Sequence, residues 1–140
     1  MTRVEFYFNV SDKFAKTVEL CEKALAKGRQ LTIYTQNDAM SNDIQNLLWT
    51  QSPSSFLANS LINETQSRFS PIVIDAHGEN LIQDDVLINF QTLQPLFFSR
   101  FRYLVELVGS DEADKAAARA RFRFYKDRGY EIKSTDAAET

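Results

Sequence analysis

The residues of this 140-residue chain best suited to chemistry lie near its C-terminal end. Between Lys115 and Lys133 stand seven basic residues (Lys115, Arg119, Arg121, Arg123, Lys126, Arg128, Lys133) against two acidic ones, Asp127 and Glu131. The remainder holds nine basic and seventeen acidic residues, so the positive charge is concentrated there. At about 100° per residue on a helix, Lys115, Arg119, Phe122 and Lys126 fall on one side, with Arg123 beside them. Ala113, Ala117, Ala120 and Phe124 cluster opposite and form the expected packing face. An aromatic ring among cations suits a ligand that joins carboxylates to an apolar or aromatic anchor, because guanidinium forks take carboxylates in bidentate fashion. It also suits a nucleic-acid strand, with phosphates on the cations and a base stacked on Phe122. A solvated helix face bearing one exposed aromatic has the same composition.

A second constellation is Leu47 to Ile62, LLWTQSPSSFLANSLI, which contains no charged residue. Trp49, Pro53, Phe56 and Leu57 stand out in it as anchors of the kind enriched at the centre of protein–protein interfaces, where charge is depleted. The same aromatics could instead close the end of the protein's own core.

Other chemistries lack their residues. The first strand–helix turn, FNVSDKFAK, has no glycine, whereas dinucleotide and P-loop sites need glycines to bring backbone N–H groups against phosphate. The lone Cys21 permits no intramolecular disulfide, and with the lone His77 it is too little for a structural zinc site. Asp84 and Asp85 are adjacent and point to opposite faces, which suits a turn better than a carboxylate pair. No catalytic residue, cofactor or metal is therefore expected. The formal net charge of -3 argues against bulk attraction to nucleic acid. The N-terminus lacks a basic segment followed by an apolar one, and no stretch approaches the roughly 20 apolar residues of a membrane span, which predicts a soluble cytoplasmic protein.

The elements that must position these groups read as alternating strands and helices. Arg3–Phe8 alternates with Val4, Phe6 and Phe8 on one face, and Ser11 or Asp12 can cap the helix that follows. Phe14, Val18, Cys21 and Leu25 make its apolar stripe, with Cys21 a core residue, and Gly28 stands where the helix should end. Leu31–Tyr34 is a second strand, and Met40, Ile44, Leu47 and Leu48 mark a second helix ending near Trp49. Further strands are expected at Pro71–Ile74, Val86–Phe90 and Tyr103–Val108, a short helix or turn at Leu96–Phe101, a long helix at Ser110–Gly129 and a closing strand at Tyr130–Lys133. This order indicates a parallel α/β sheet in one domain, residues 1–133, followed by a polar tail, residues 134–140, expected to fray.

Taken together, four blocks resemble the chi subunit family of bacterial DNA polymerase III holoenzyme: TRVEFYFNVSDK, ALAKGRQLTIYTQN, DIQNLLWTQSPSSFLAN and ARARFRFYKDRGYEI. The most specific local marks are Leu48-Trp49 followed by Ser55-Phe56, and Arg121-Phe122-Arg123 with Tyr125 and then Gly129-Tyr130. The resemblance implies a Rossmann-like, mixed and mostly parallel sheet flanked by helices, without a nucleotide-binding loop and without catalysis. It implies a surface for the psi subunit of the clamp loader at Trp49, Pro53, Phe56 and Leu57, shared with a helicase in some bacteria. It implies a second surface, for the acidic, Phe-ended tail of single-stranded-DNA-binding protein (SSB), at Val108, Lys115, Arg119, Phe122, Arg123 and Lys126. The chain departs from the family at Leu57-Ala58-Asn59, where apolar-Pro-His is usual, and at Phe122, where relatives carry Tyr. Direct binding of single-stranded nucleic acid by the basic helix is the rival expectation.

Overall fold

The computed structural model describes residues 1–51, 59–61, 70–79 and 81–139. Its elements in chain order are β1 (Arg3–Phe8), α1 (Lys13–Ala26), β2 (Leu31–Tyr34), α2 (Asp38–Gln51), β3 (Asn59–Leu61), β4 (Ile72–Asp75), β5 (Val86–Asn89), β6 (Tyr103–Leu107), α3 (Glu112–Asp127) and β7 (Ile132–Asp136). Short 3-10 turns lie at Phe98–Arg100 and Ala137–Glu139.

The strands form one seven-stranded sheet in the order β3-β4-β2-β5-β6-β1-β7. All six ladders between described strands are parallel, so the expected α/β sheet flanked by helices is present but its mixed character is not. Parallel neighbours cannot be joined by tight hairpins, and here α1 leads from β1 to β2 and α3 from β6 to β7. β4 and β5 are buried at every position, as strands covered on both faces must be.

Each face has its own core. Val18 and Cys21 of α1, with Ile44 and Leu48 of α2, pack on Leu31, Ile33, Ile74, Ile88 and Leu107. On the other face Ala118 and Tyr125 of α3 pack with Val4, Phe6, Leu87, Leu104 and Phe98. Cys21 is fully buried, and burial pushes its thiol up to about 12, which suits a core residue and not a nucleophile. Asp12 caps α1 by accepting the N–H groups of Phe14 and Ala15 at 3.0 and 3.2 Å. Gly28, at φ 72°, closes the same helix in the left-handed conformation that a side chain would resist.

Three expectations shift. Asn59–Leu61, where the sequence predicts no strand, pairs with β4 as an edge strand. The closing strand begins at Ile132 and runs on to Asp136, pairing with β1 from Val4 to Phe8, so the residues expected to fray from Ser134 are ladder residues. The face of α3 that packs on the sheet is also different. Ala113 and Ala120 are exposed, whereas Ala118, Arg121 and Tyr125 are buried at i, i+3 and i+7. An arginine reads as an outward residue until a buried partner is known, which is why the sequence alone places the packing face on the alanines.

Candidate binding groove

That partner is Glu106. It lies in β6 within the apolar run YLVELV and is completely buried on the α3 side of the sheet. A carboxylate there needs donors, since an unpaired buried charge is prohibitively unfavourable. Arg121 Nε donates to Glu106 Oε1 at 3.0 Å, the Tyr125 hydroxyl donates to Oε2 at 2.6 Å, and Asn89 Nδ2 reaches both oxygens at 3.2 and 3.1 Å. Arg121 also donates to the Thr92 carbonyl at 2.8 Å. Burial pushes the Glu106 carboxyl above its ordinary range, opposed first by the Arg121 guanidinium and then by the Tyr125 and Asn89 bonds. The network sets the rotation of α3 about its axis.

With Arg121 and Tyr125 turned inward, the residues beside them are turned outward. Phe122 is half-buried and meets Phe6 edge-on, ring centroids 5.3 Å apart. It is therefore the floor of a groove and not an aromatic on the face away from the core. The groove has a volume of about 530 Å³. Lys115, Arg119, Arg123 and Lys126 line it from α3, with Phe122 and Ala118. Val108 and Gly109 line it where β6 ends, and Phe6, Phe8, Asn9 and Ser134 from β1, its exit and β7. All six residues expected at the acidic-tail surface thus come together in one cleft.

Arg119, Arg123 and Lys126 are exposed and make no ion pair among the described residues. Lys115 has only Glu112 at 3.7 Å, one helical turn away. The cleft therefore offers cations to a ligand above an apolar floor. Phe6, Phe8, Asn9, Gly109, Ala118 and Ser134 were not anticipated there. Phe6 and Phe8 did read as one face of a strand, and pairing that face with the last helix would have found them.

Trp49, in the last turn of α2, keeps 49 % of its surface exposed while Leu48 beside it is buried. Pro53, Phe56 and Leu57 lie outside the described residues, so only one of the four residues expected at the second surface is placed. Asp85 pairs with Arg29 at 2.9 Å just before β5, and Asp75 at the end of β4 accepts the N–H groups of His77 and Gly78. Among the described residues no group of three or more His, Cys, Asp and Glu could hold a metal ion, and no helix is long and apolar enough to cross a membrane.

The sequence matches the family described as DNA polymerase III chi subunit, HolC, over residues 1–133. The chain belongs to this family. It is 30 % identical over 136 residues to the DNA polymerase III subunit chi of Pseudomonas aeruginosa, covering 94 % of each chain. It is 28 % identical over 138 residues to that of Haemophilus influenzae, covering 94 % of this chain and 96 % of the relative. The chi family is an accessory part of DNA polymerase III, and this chain is such a subunit of the replication machinery. Among solved structures, the C-terminal domain of the DEAD-box protein Dbp5 superposes with a TM-score of 0.65 at 15 % identity, over 99 % of this chain and 91 % of that one. A variant of the S. cerevisiae Dbp5 C-terminal domain, bound to a Gle1 variant and IP6, gives a TM-score of 0.62 at 14 % identity, over 99 % and 93 %. At such identity the likeness concerns the fold.

Proposed function

We propose that this chi-family chain is a non-catalytic tether that joins the clamp loader, through the psi subunit, to the acidic C-terminal tail of SSB in the cytoplasm. The observation that carries the reading is the groove along α3: four cations on one wall, three of them without an ion pair among the described residues, above a floor that includes Phe6, Phe122 and Val108. Carboxylates of the tail meet Arg119, Arg123, Lys115 and Lys126, and its terminal Phe enters the apolar floor. One contact of this kind is weak, because a disordered tail loses conformational entropy on binding. Many tails on SSB-coated DNA raise the effective concentration, so the polymerase gains avidity without this chain touching DNA. Exposed Trp49 supports psi, or a helicase sharing its surface, as the partner on α2.

Direct contact with single-stranded nucleic acid is the second reading, favoured by the same cations. The other wall of the cleft, Phe8, Asn9 and Ser134, is uncharged, unlike a groove that tracks phosphates on both sides. Fluorescence polarisation with a labelled acidic peptide ending in Phe and with oligo-dT, each at two salt concentrations, separates the two. Saturable binding of the peptide alone is expected. Binding of the oligonucleotide alone would overturn the tether. For the other surface, Trp49→Ala should abolish co-elution with psi and leave peptide binding unchanged; co-elution of the intact complex would refute that assignment.

A further inference from the structure

The cationic wall of the groove belongs to α3; the wall facing it is built by the two ends of the chain. Phe8 ends β1, lines the groove and keeps 37 % of its surface exposed although it is a large apolar ring. Asn9 follows at φ 58°, in the left-handed region that asparagine adopts more readily than most other residues. Its Nδ2 donates to Asp136 Oδ1 at 3.1 Å across 127 residues of sequence. Asp136 is the last residue of β7 and the ladder partner of Phe8, and the same Oδ1 accepts the Ala138 N–H at 3.0 Å. The clasp therefore holds an edge strand against β1 at Phe8, one of the residues that line the groove. Ser134 and Asp136 both lie beyond the stretch matched to the family.

We infer that Phe8, held in place by the Asn9–Asp136 clasp, is the specificity-determining residue of the groove and selects an aromatic over an aliphatic side chain at the end of an acidic peptide. The inference rests on the reading of the groove as an acidic-tail site. Phe122 and Phe8 line the cleft from α3 and from β1, so a ring entering it can meet aromatic surface from each of the two elements. An aliphatic side chain could fill the same space but would forgo the edge-to-face attraction that aromatic pairs gain beyond buried area. Without the clasp, the end of an edge strand is where pairing opens first.

The test uses the full chain and two labelled acidic peptides that differ only in their last residue, Phe or Leu. Wild type should prefer the Phe-ended peptide. Phe8→Leu should reduce that preference roughly fivefold, the ratio that an aromatic pair of ordinary strength supplies. Phe8→Tyr should keep it. Because loss of folded protein lowers both affinities alike, the ratio does not respond to a merely structural defect. An unchanged ratio in Phe8→Leu overturns the inference. Asp136→Ala and Asp136→Asn remove the same charge, but only Asn keeps an oxygen for Asn9; the preference should fall in the first and survive in the second. Equal ratios in the two would overturn the role of the clasp. If wild type binds neither peptide, the tail reading itself fails. If Arg119→Ala abolishes binding while Phe8→Leu keeps the ratio, only the inference fails.

Discussion

Arg119 and Arg121 stand two residues apart on α3 and live in opposite surroundings. Arg121 is 3 % exposed and spends its donors on Glu106 and on the Thr92 carbonyl. Arg119 is exposed, lines the groove and has no ion-pair partner among the described residues. The residue type is the same; what differs is whether a carboxylate waits beneath it. An inward arginine bonded to a buried carboxylate specifies the rotation of its helix, and an outward one left unpaired is available to a ligand. The half-exposed pair Lys13–Asp114, 2.8 Å apart, stands between these extremes.

The contrast breaks most visibly at Arg121. Arg121→Ala leaves Glu106 buried without its cation and should cost about 3–5 kcal/mol of folding stability, read from urea denaturation. A loss below about 1 kcal/mol would mean that the ion pair does not position α3. Arg119→Ala should do the reverse. It should weaken binding of the acidic peptide by roughly 1–3 kcal/mol, as loss of a charge-assisted contact does, and leave the denaturation midpoint nearly unchanged. Tyr125→Phe removes one of the donors to Glu106 and should lower stability by about 1 kcal/mol without altering peptide affinity. A peptide-binding defect in that variant would show that the inner network reaches the groove.

The smallest effect concerns Asp114. Burial acts to raise its carboxyl, but Lys13 and the Gly109 N–H outweigh this and hold it below the ordinary carboxylate value of 3.8. A folded-state value below the unfolded one means stability that is present above the unfolded value and lost as pH falls through the folded one. Asp114→Asn should therefore be less stable than wild type at neutral pH, and the difference should shrink below about pH 4. A difference that stayed constant from neutral to acid pH would show that the Lys13 pair does not lower this carboxyl.

Much of this was legible in the sequence, and the exceptions have physical causes. β1, β2 and the helix starting after Asp12 follow from alternation, apolar stripes and capping, which are local signals. The six residues expected at the acidic-tail surface do meet in one groove. The inward face of α3 was misread because the partner of Arg121 lies 15 residues away in another element. A clue was present: Glu106 sits inside the apolar run YLVELV, where a carboxylate demands donors, and Arg121 and Tyr125 lie one helical turn apart. β3, with three residues, and the extension of β7 through the polar residues Ser134, Thr135 and Asp136 have little pattern of their own and are ordered by the strands they pair with. The Asn9–Asp136 clasp joins the two ends of the chain, a contact that no local signal encodes.

The groove between α3 and β1 is the proposed binding place of an acidic, Phe-ended peptide. Titrating that peptide into isotope-labelled protein and following amide chemical shifts tests it most directly. The largest changes should fall at Val108, Gly109, Arg119, Phe122 and Arg123, with little change around Trp49. Saturable shifts confined to α2 near Trp49, or binding without any shift along α3, would contradict it.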